Sequence, residues 1–99
     1  MTRAEFVAWL DARRPLPPPT LREHLITLVP DASGNGPDQL ADAGVALLAR
    51  VLDRSEGGRE LALDLLAADA LVTYAFEAQA EVDTAGLAAL ARRVAGGDS

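Results

Sequence analysis

Cysteine and lysine are absent from this chain of 99 residues, and histidine occurs once. Without cysteine the chain forms no disulfide and has no thiol chemistry, which agrees with a reducing cytoplasm. Without lysine it cannot form a Schiff base with a carbonyl substrate. A single imidazole also leaves few nitrogen ligands for a transition metal. These absences exclude several catalytic classes before any motif is considered.

Long, uninterrupted apolar runs are also missing. The N-terminal sequence MTRAEFVAWLDARR begins with charge and contains no apolar segment of signal-peptide length. The most apolar stretch, Leu61–Ala78, is interrupted by Asp64 and Asp69 and is shorter than the roughly 20 apolar residues that span a bilayer. We therefore expect a cytoplasmic protein without a membrane partner.

Positive charge is scarce in the sequence. Fifteen acidic residues outnumber nine basic residues, and the net charge is −6. Because lysine and arginine supply most of the affinity of proteins for phosphate backbones, this balance predicts no nucleic-acid partner. A negative surface supports solubility, and it permits a basic protein partner without requiring one.

Apolar residues recur at helical spacing along the chain, and no strand-like alternation has turn residues on both sides. The length is typical of one domain, residues 1–99. We predict an all-α fold, a compact bundle of four to five helices with a central antiparallel hairpin of helices 3 and 4. The approximate predicted helices are residues 3–14, 20–29, 37–55, 59–81 and 84–95.

Local signals mark the starts of the first two helices. Thr2 with Glu5, and Thr20 with Glu23, have the spacing of a capping box, in which two side chains satisfy free backbone N–H groups. The proline-rich segment 15–19 lies between the two helices, and it should act as a stiff spacer that sets their angle.

Helix 4 carries apolar residues on nearly every side, which is typical of a helix that is buried or shared with a partner. Since helices 1 and 2 are short, we expect a second copy of the chain to cover part of this surface, so that the protein is a homodimer. The main apolar stripe of helix 4 consists of Leu61, Leu65, Ala68, Val72 and Phe76, and further apolar residues spread over the other sides.

Two polar residues of helix 4 are expected to have structural roles. Asp69 projects about 20–40° from stripe residues at 100° per residue, so we expect its carboxylate to pair with an arginine or to cap a neighbouring helix. Tyr74 is expected to be a core residue with its hydroxyl at the rim.

The charges at the helix ends differ between helices 1 and 4. Arg13 and Arg14 fall in the predicted last turn of helix 1, where positive charge complements the helix dipole. Helix 4 instead ends with Glu77 and Glu81. Acids at the C-terminal end of a helix interact unfavourably with its dipole, by a small amount. Either this interaction has no consequence, or arginines of helix 5 or of a second chain neutralise Glu77 and Glu81.

Motifs of known catalytic chemistry are missing from the sequence. It contains no Gly-x-Ser-x-Gly nucleophile elbow, no phosphate-binding glycine loop and no Glu-x-x-His metal motif. Glu77 and Glu81 can offer two carboxylates to a metal, but their spacing is more typical of a solvated face. His24 is expected to be an exposed or half-buried helix residue. We therefore predict no catalytic residue, no cofactor and no metal site.

Three functional hypotheses remain. The leading one is a non-catalytic protein that acts through self-association or protein–protein interaction. The alternative is a small-molecule-binding module with an apolar pocket against the central helix. The third is an enzyme that uses Asp69, Glu77 or His24 as an acid or base. The candidate pocket or interface residues are Leu65, Asp69, Val72, Tyr74, Phe76 and Glu77.

Overall fold

The computed structural model describes residues 1–54 and 57–96, and within these ranges the chain forms helices and no strand. The predicted all-α fold is confirmed, together with the central pairing of helices 3 and 4, which is the most extensive helix–helix contact of the described part. Ser55, the last residue predicted for helix 3, and residues 97–99 of the predicted domain lie outside the described ranges. The helices are α1 (Arg3–Asp11), α2 (Pro19–Leu28), α3 (Gly36–Leu52), α4 (Arg59–Val82) and α5 (Leu87–Gly96), with a 3₁₀ turn (Thr84–Gly86) before α5.

Helix α1 begins at the predicted capping box. Oγ1 of Thr2 accepts a hydrogen bond of 3.2 Å from the backbone N–H of Glu5, and the Glu5 carboxylate accepts one of 2.7 Å from the backbone N–H of Thr2. The helix ends at Asp11, not at residue 14, so Arg13 and Arg14 lie beyond its last turn. The dipole role predicted for these two arginines is therefore wrong.

Helix α2 begins one residue before its predicted start. Pro19 lies in the first turn, and the cap residue Pro18 makes no side-chain hydrogen bond to the helix. The predicted capping box of Thr20 and Glu23 is therefore wrong. Proline has no N–H to satisfy and has a preset φ, so Pro19 itself opens the helix and leaves Thr20 inside the first turn.

Helices α3 and α4 approach each other closely at Gly44. A Cβ atom placed on Gly44 would lie 2.8 Å from Cγ2 of Val72 and 3.2 Å from the backbone oxygen of Ala68. These distances are below normal van der Waals contact, so a larger residue would force the helices apart. The residues of α3 that are buried against its neighbours are Pro37, Leu40, Ala41, Gly44, Leu47 and Val51.

The buried face of α4 consists mostly of alanine, and it differs from the main apolar stripe of the sequence. Of the residues of that stripe, Ala68 alone is buried, Leu65 is exposed, and Leu61, Val72 and Phe76 are half-buried. Because the two helices cross so closely, methyl groups fit between them and larger side chains are displaced to the flanks. The buried residues of α4 are Asp64, Ala67, Ala68, Leu71, Ala75 and Ala78.

Helix α5 is separated from α4 by a short turn. The Asp83 carboxylate accepts a hydrogen bond of 3.0 Å from the backbone N–H of Ala85 and caps the 3₁₀ turn. On α5, Leu90 is buried in the core, and Arg93 donates two hydrogen bonds, of 2.7 and 2.8 Å, to the carboxylate of Asp42 on α3. Helix α5 therefore packs back against the α3–α4 pair.

Candidate functional site

An open groove of about 370 Å³ follows the surface of α3 and α4, and one residue of α5 contributes to its wall. Asp69 is its one charged lining residue, and the other lining side chains are apolar. We name this feature the α3–α4 groove. It is lined by Gly44, Val45, Leu48, Leu65, Ala68, Asp69, Val72 and Val94.

The close helix crossing explains why large apolar side chains remain at the surface. Gly44 and Ala68 bring the helix backbones together, so the leucines beside them cannot enter the core. Leu48 on α3 is 41% exposed and Leu65 on α4 is 45% exposed. Leu52 lies four positions, about one helical turn, after Leu48 and is 74% exposed, so the apolar surface continues beyond the groove.

Four of the six predicted site residues belong to the groove side of α4 or adjoin it. Leu65, Asp69 and Val72 line the groove, and Phe76 is half-buried against the core. Asp69 is exposed, and within residues 1–54 and 57–96 it makes no ion pair and no side-chain hydrogen bond. The expectation that Asp69 pairs with an arginine or caps a helix is therefore wrong, because Asp69 lies on the exposed side of α4 that lines the groove.

The other two predicted residues, Tyr74 and Glu77, lie on a different face of α4, where α1 packs. The rings of Trp9 and Tyr74 meet edge to face, with centroids 5.4 Å apart and an interplanar angle of 83°. Indole Nε1 of Trp9 donates a hydrogen bond of 2.8 Å to Glu81. The guanidinium of Arg13 lies 4.2 Å from the Trp9 ring centroid and donates to Glu81 at 2.7 Å and to Glu77 at 3.3 Å.

We name these five residues the α1–α4 clasp. The hydrogen bond from Trp9, assisted by Arg13, lowers the pKa of Glu81, whereas burial and the nearby Glu77 raise the pKa of Tyr74. Arg13 thus neutralises both acids at the end of α4, a role that the sequence left open to helix 5 or to a second chain. The clasp holds α1 on α4 through the hydrogen bonds that Trp9 and Arg13 donate to the two glutamates.

A second polar cluster, around Asp64, was not predicted. Asp64 is 8% exposed, its Oδ1 lies 2.6 Å from Nε2 of His24, and its Oδ2 accepts a hydrogen bond from Arg54. Burial by itself would raise the pKa of Asp64, but the hydrogen bonds from His24 and Arg54 outweigh it and lower that pKa. The cluster joins α2, α4 and the segment after α3.

A signal for this cluster exists in the sequence. Asp64 lies three, four and seven positions before Ala67, Ala68 and Leu71, which places it on the buried face of α4. A carboxylate on that face requires a charged or hydrogen-bonding partner. The signal becomes visible when the alanine-rich face of α4, and not the main apolar stripe, is taken as the buried face.

The potential acid–base groups do not converge. Asp69 lies in the α3–α4 groove, Glu77 in the α1–α4 clasp and His24 beside Asp64. In the part of the chain that the structure describes, no three side chains of His, Cys, Asp or Glu gather as a set of metal ligands. This arrangement gives no geometric support to an acid–base mechanism that combines Asp69, Glu77 and His24.

Comparison with protein-family models, curated proteins and solved structures found no match. None of the helices in residues 1–54 and 57–96 combines the length and apolar character needed to cross a bilayer. Functional inference therefore rests on the groove, the clasp and the Asp64 cluster. Of these three, the groove alone presents apolar side chains that the rest of the described chain leaves uncovered.

Proposed function

We propose that this chain is a non-catalytic protein-interaction module whose docking surface is the α3–α4 groove. The observation that carries the proposal is the half-exposed state of Leu48 and Leu65 on adjacent helices, at 41% and 45%. Contiguous exposed apolar surface on a small domain is typical of interaction sites. Since full burial of a leucine is worth about 1.5–3 kcal/mol, covering these side chains gives a partner a driving force of the order of 1 kcal/mol each.

The two polar clusters support this proposal indirectly. Each of them links helices to one another through side-chain hydrogen bonds, so each has a structural role in the fold. The clasp joins α1 to α4, and the Asp64 cluster joins α2 to α4. A fold held together in this way, with an uncovered apolar groove, suits binding better than chemistry. The absence of cysteine agrees with the cytoplasm as the compartment in which the module acts.

A small-molecule-binding module is the second candidate, because the groove volume of about 370 Å³ is within the usual range of ligand pockets, roughly 300–1,000 Å³. The open shape favours a macromolecular partner, since a small ligand would keep one side in water. Homodimer formation stays a prediction, and it is one of the ways in which the module can use the groove.

The proposal is tested with two groove variants, Leu48→Glu and Leu65→Glu, and with Leu16→Glu as the matched control. Leu16 is 51% exposed and does not line the groove. Self-association is measured by sedimentation velocity, and binding of helical peptides is measured by selection from a displayed library. We expect the two groove variants, and not the control, to lose the interaction that the wild-type chain makes. A wild-type chain that neither self-associates nor yields binders dependent on Leu48 and Leu65 would refute the proposal.

A further inference from the structure

The α3–α4 groove contains one charged group that no other residue of the described chain compensates. Asp69 lies among the apolar lining residues and has no ion-pair partner within residues 1–54 and 57–96. The carboxylate is exposed, so water solvates it while the groove is empty. Its environment changes when an occupant covers the groove, and this places a chemical requirement on that occupant.

An occupant that fills the groove removes water from Asp69. A carboxylate that loses water without gaining a partner is strongly unfavourable, whereas one that gains a cation in hydrogen-bonding geometry is compensated. A purely apolar partner therefore meets an uncompensated charge beside Leu65 and Val72. A partner with a basic side chain next to its apolar residues satisfies both parts of the lining.

A second copy of the chain does not meet this requirement when it docks groove to groove. No arginine lines the groove, so each Asp69 would face apolar side chains or the other Asp69. Arg54 and Arg93 are already paired with Asp64 and Asp42. The net charge of −6 adds repulsion between copies and attracts a cationic partner.

The spacing of the apolar residues along the groove matches that of a helix. On α3, Val45, Leu48 and Leu52 recur at spacings of three and four along one face. These residues span about 10 Å at 1.5 Å per residue, which is roughly two helical turns. An amphipathic helix laid between two antiparallel helices presents anchors at the same spacing and buries them in such a groove.

We infer that the occupant of the α3–α4 groove is an amphipathic helix of another protein, with apolar anchors in the groove and a basic side chain paired with Asp69. This inference rests on the proposed interaction function and specifies its partner. The pairing supplies specificity, because a partner with an acidic residue at the same place meets like charge.

Two synthetic peptides of about 15 residues, long enough to form a helix, test the inference. Both carry leucines at spacings of three and four, and they differ at one position beside that stripe, which is arginine in one peptide and glutamate in the other. Binding to the wild-type chain and to Asp69→Arg, Leu65→Glu and Leu16→Glu is measured by isothermal titration calorimetry. Circular dichroism verifies that each variant remains helical.

We expect the arginine peptide to bind the wild-type chain at least about tenfold more tightly than the glutamate peptide. Asp69→Arg should reverse this preference, Leu65→Glu should weaken both peptides, and Leu16→Glu should change neither. Equal, Leu65-dependent binding of the two peptides would overturn the inference about charge and leave the interaction function standing. If the wild-type chain is a dimer and Leu65→Glu dissociates it, a second copy of the chain is the occupant. This result too would overturn the inference and leave the interaction function standing. Failure of both peptides to bind a monomeric chain would overturn the inference, whereas the interaction function would fall only if the library selection also yields no binders that depend on Leu48 and Leu65.

Discussion

Indole Nε1 of Trp9 donates a hydrogen bond of 2.8 Å to the carboxylate of Glu81, across 72 positions of sequence. The bond joins the first helix to the last turn of the fourth. Arg13 lies 4.2 Å from the Trp9 ring centroid and donates to the same carboxylate, so one acid receives two donors, from α1 and from the segment that follows it. The position of α1 in the fold therefore depends on polar contacts as well as on its buried residues Phe6 and Leu10.

The substitution Trp9→Phe tests this bond, because it keeps an aromatic ring against Tyr74 and removes the N–H donor. We expect the free energy of unfolding to fall by about 0.5–1.5 kcal/mol, the usual value of a hydrogen bond that is partly open to solvent. Urea denaturation of Trp9→Phe, Glu81→Gln and the double variant forms the measurement. Additive effects of the two single substitutions would show that Trp9 and Glu81 are not coupled.

Asp64 predicts a specific acid dependence of stability. Its folded-state pKa is lowered, so the stabilisation from His24 and Arg54 is fully present above the unfolded value of about 3.9. That stabilisation is lost as the pH falls through the folded-state pKa. Asp64→Asn should reduce the free energy of unfolding near neutral pH by about 1–3 kcal/mol and should weaken its dependence on pH below about 4.

Chemical denaturation between about pH 2 and 7, the range that covers this transition, provides the measurement. Some acid dependence should persist in Asp64→Asn, since arginine pairing and hydrogen bonds also lower the pKa values of Asp42 and Glu81. Asp69→Asn is the matched control on the same helix, and it should not lower the free energy of unfolding near neutral pH as Asp64→Asn does. Equal stability of Asp64→Asn and the wild-type chain would contradict the structural role of the cluster.

Gly44 predicts an unfavourable effect of adding a methyl group. Alanine favours a helix over glycine by about 1 kcal/mol, but its Cβ would lie 2.8 Å from Cγ2 of Val72. We expect overpacking to dominate, with Gly44→Ala less stable than the wild-type chain by about 1–3 kcal/mol. In a Val72→Ala background the penalty should shrink, because the closest clashing atom is removed. Thermal unfolding of the wild-type chain, Gly44→Ala, Val72→Ala and the double variant provides the measurement. An increased melting temperature of Gly44→Ala would show that the helix crossing is loosely packed.

Two leucines on α4 distinguish the core of the molecule from its surface. Leu71 is fully buried, so Leu71→Ala should reduce the free energy of unfolding by about 2–5 kcal/mol. Leu66 is 49% exposed, and Leu66→Gln should change it by less than about 1 kcal/mol. Denaturation of both variants under one set of conditions gives the comparison. A similar fall in the free energy of unfolding for both variants would mean that the exposed leucines are buried in an interface in solution.

The residue types predicted the helices and their pairing well, because these depend on local periodicity and turn residues. The Thr2–Glu5 cap followed from spacing alone, since a capping box involves four consecutive residues. At α2 the same spacing misled, because Pro19 competes with Thr20 for the start of the helix and proline prevails. Local rules fail where two of them apply to overlapping residues.

The candidate site was predicted in part. Leu65, Asp69 and Val72 do lie together in the groove, as helical periodicity implies, whereas Tyr74 and Glu77 belong to the α1–α4 clasp. Periodicity shows which residues share a face of a helix, but it does not show which face is turned inward. The main apolar stripe lies on one face of α4, whereas the close crossing of α3 and α4 buries another face, which is rich in alanine.

Composition and local spacing are enough to show that the chain is helical and acidic and that it has no disulfide or thiol chemistry. Which face of α4 is buried follows from the packing of the helices, because it depends on how closely Gly44 allows α3 to approach. The same packing pairs Asp64 within the core and leaves Asp69 uncompensated in the groove. Both carboxylates interrupt the same apolar stretch, and only their neighbours from distant parts of the chain distinguish a structural acid from one available to a partner.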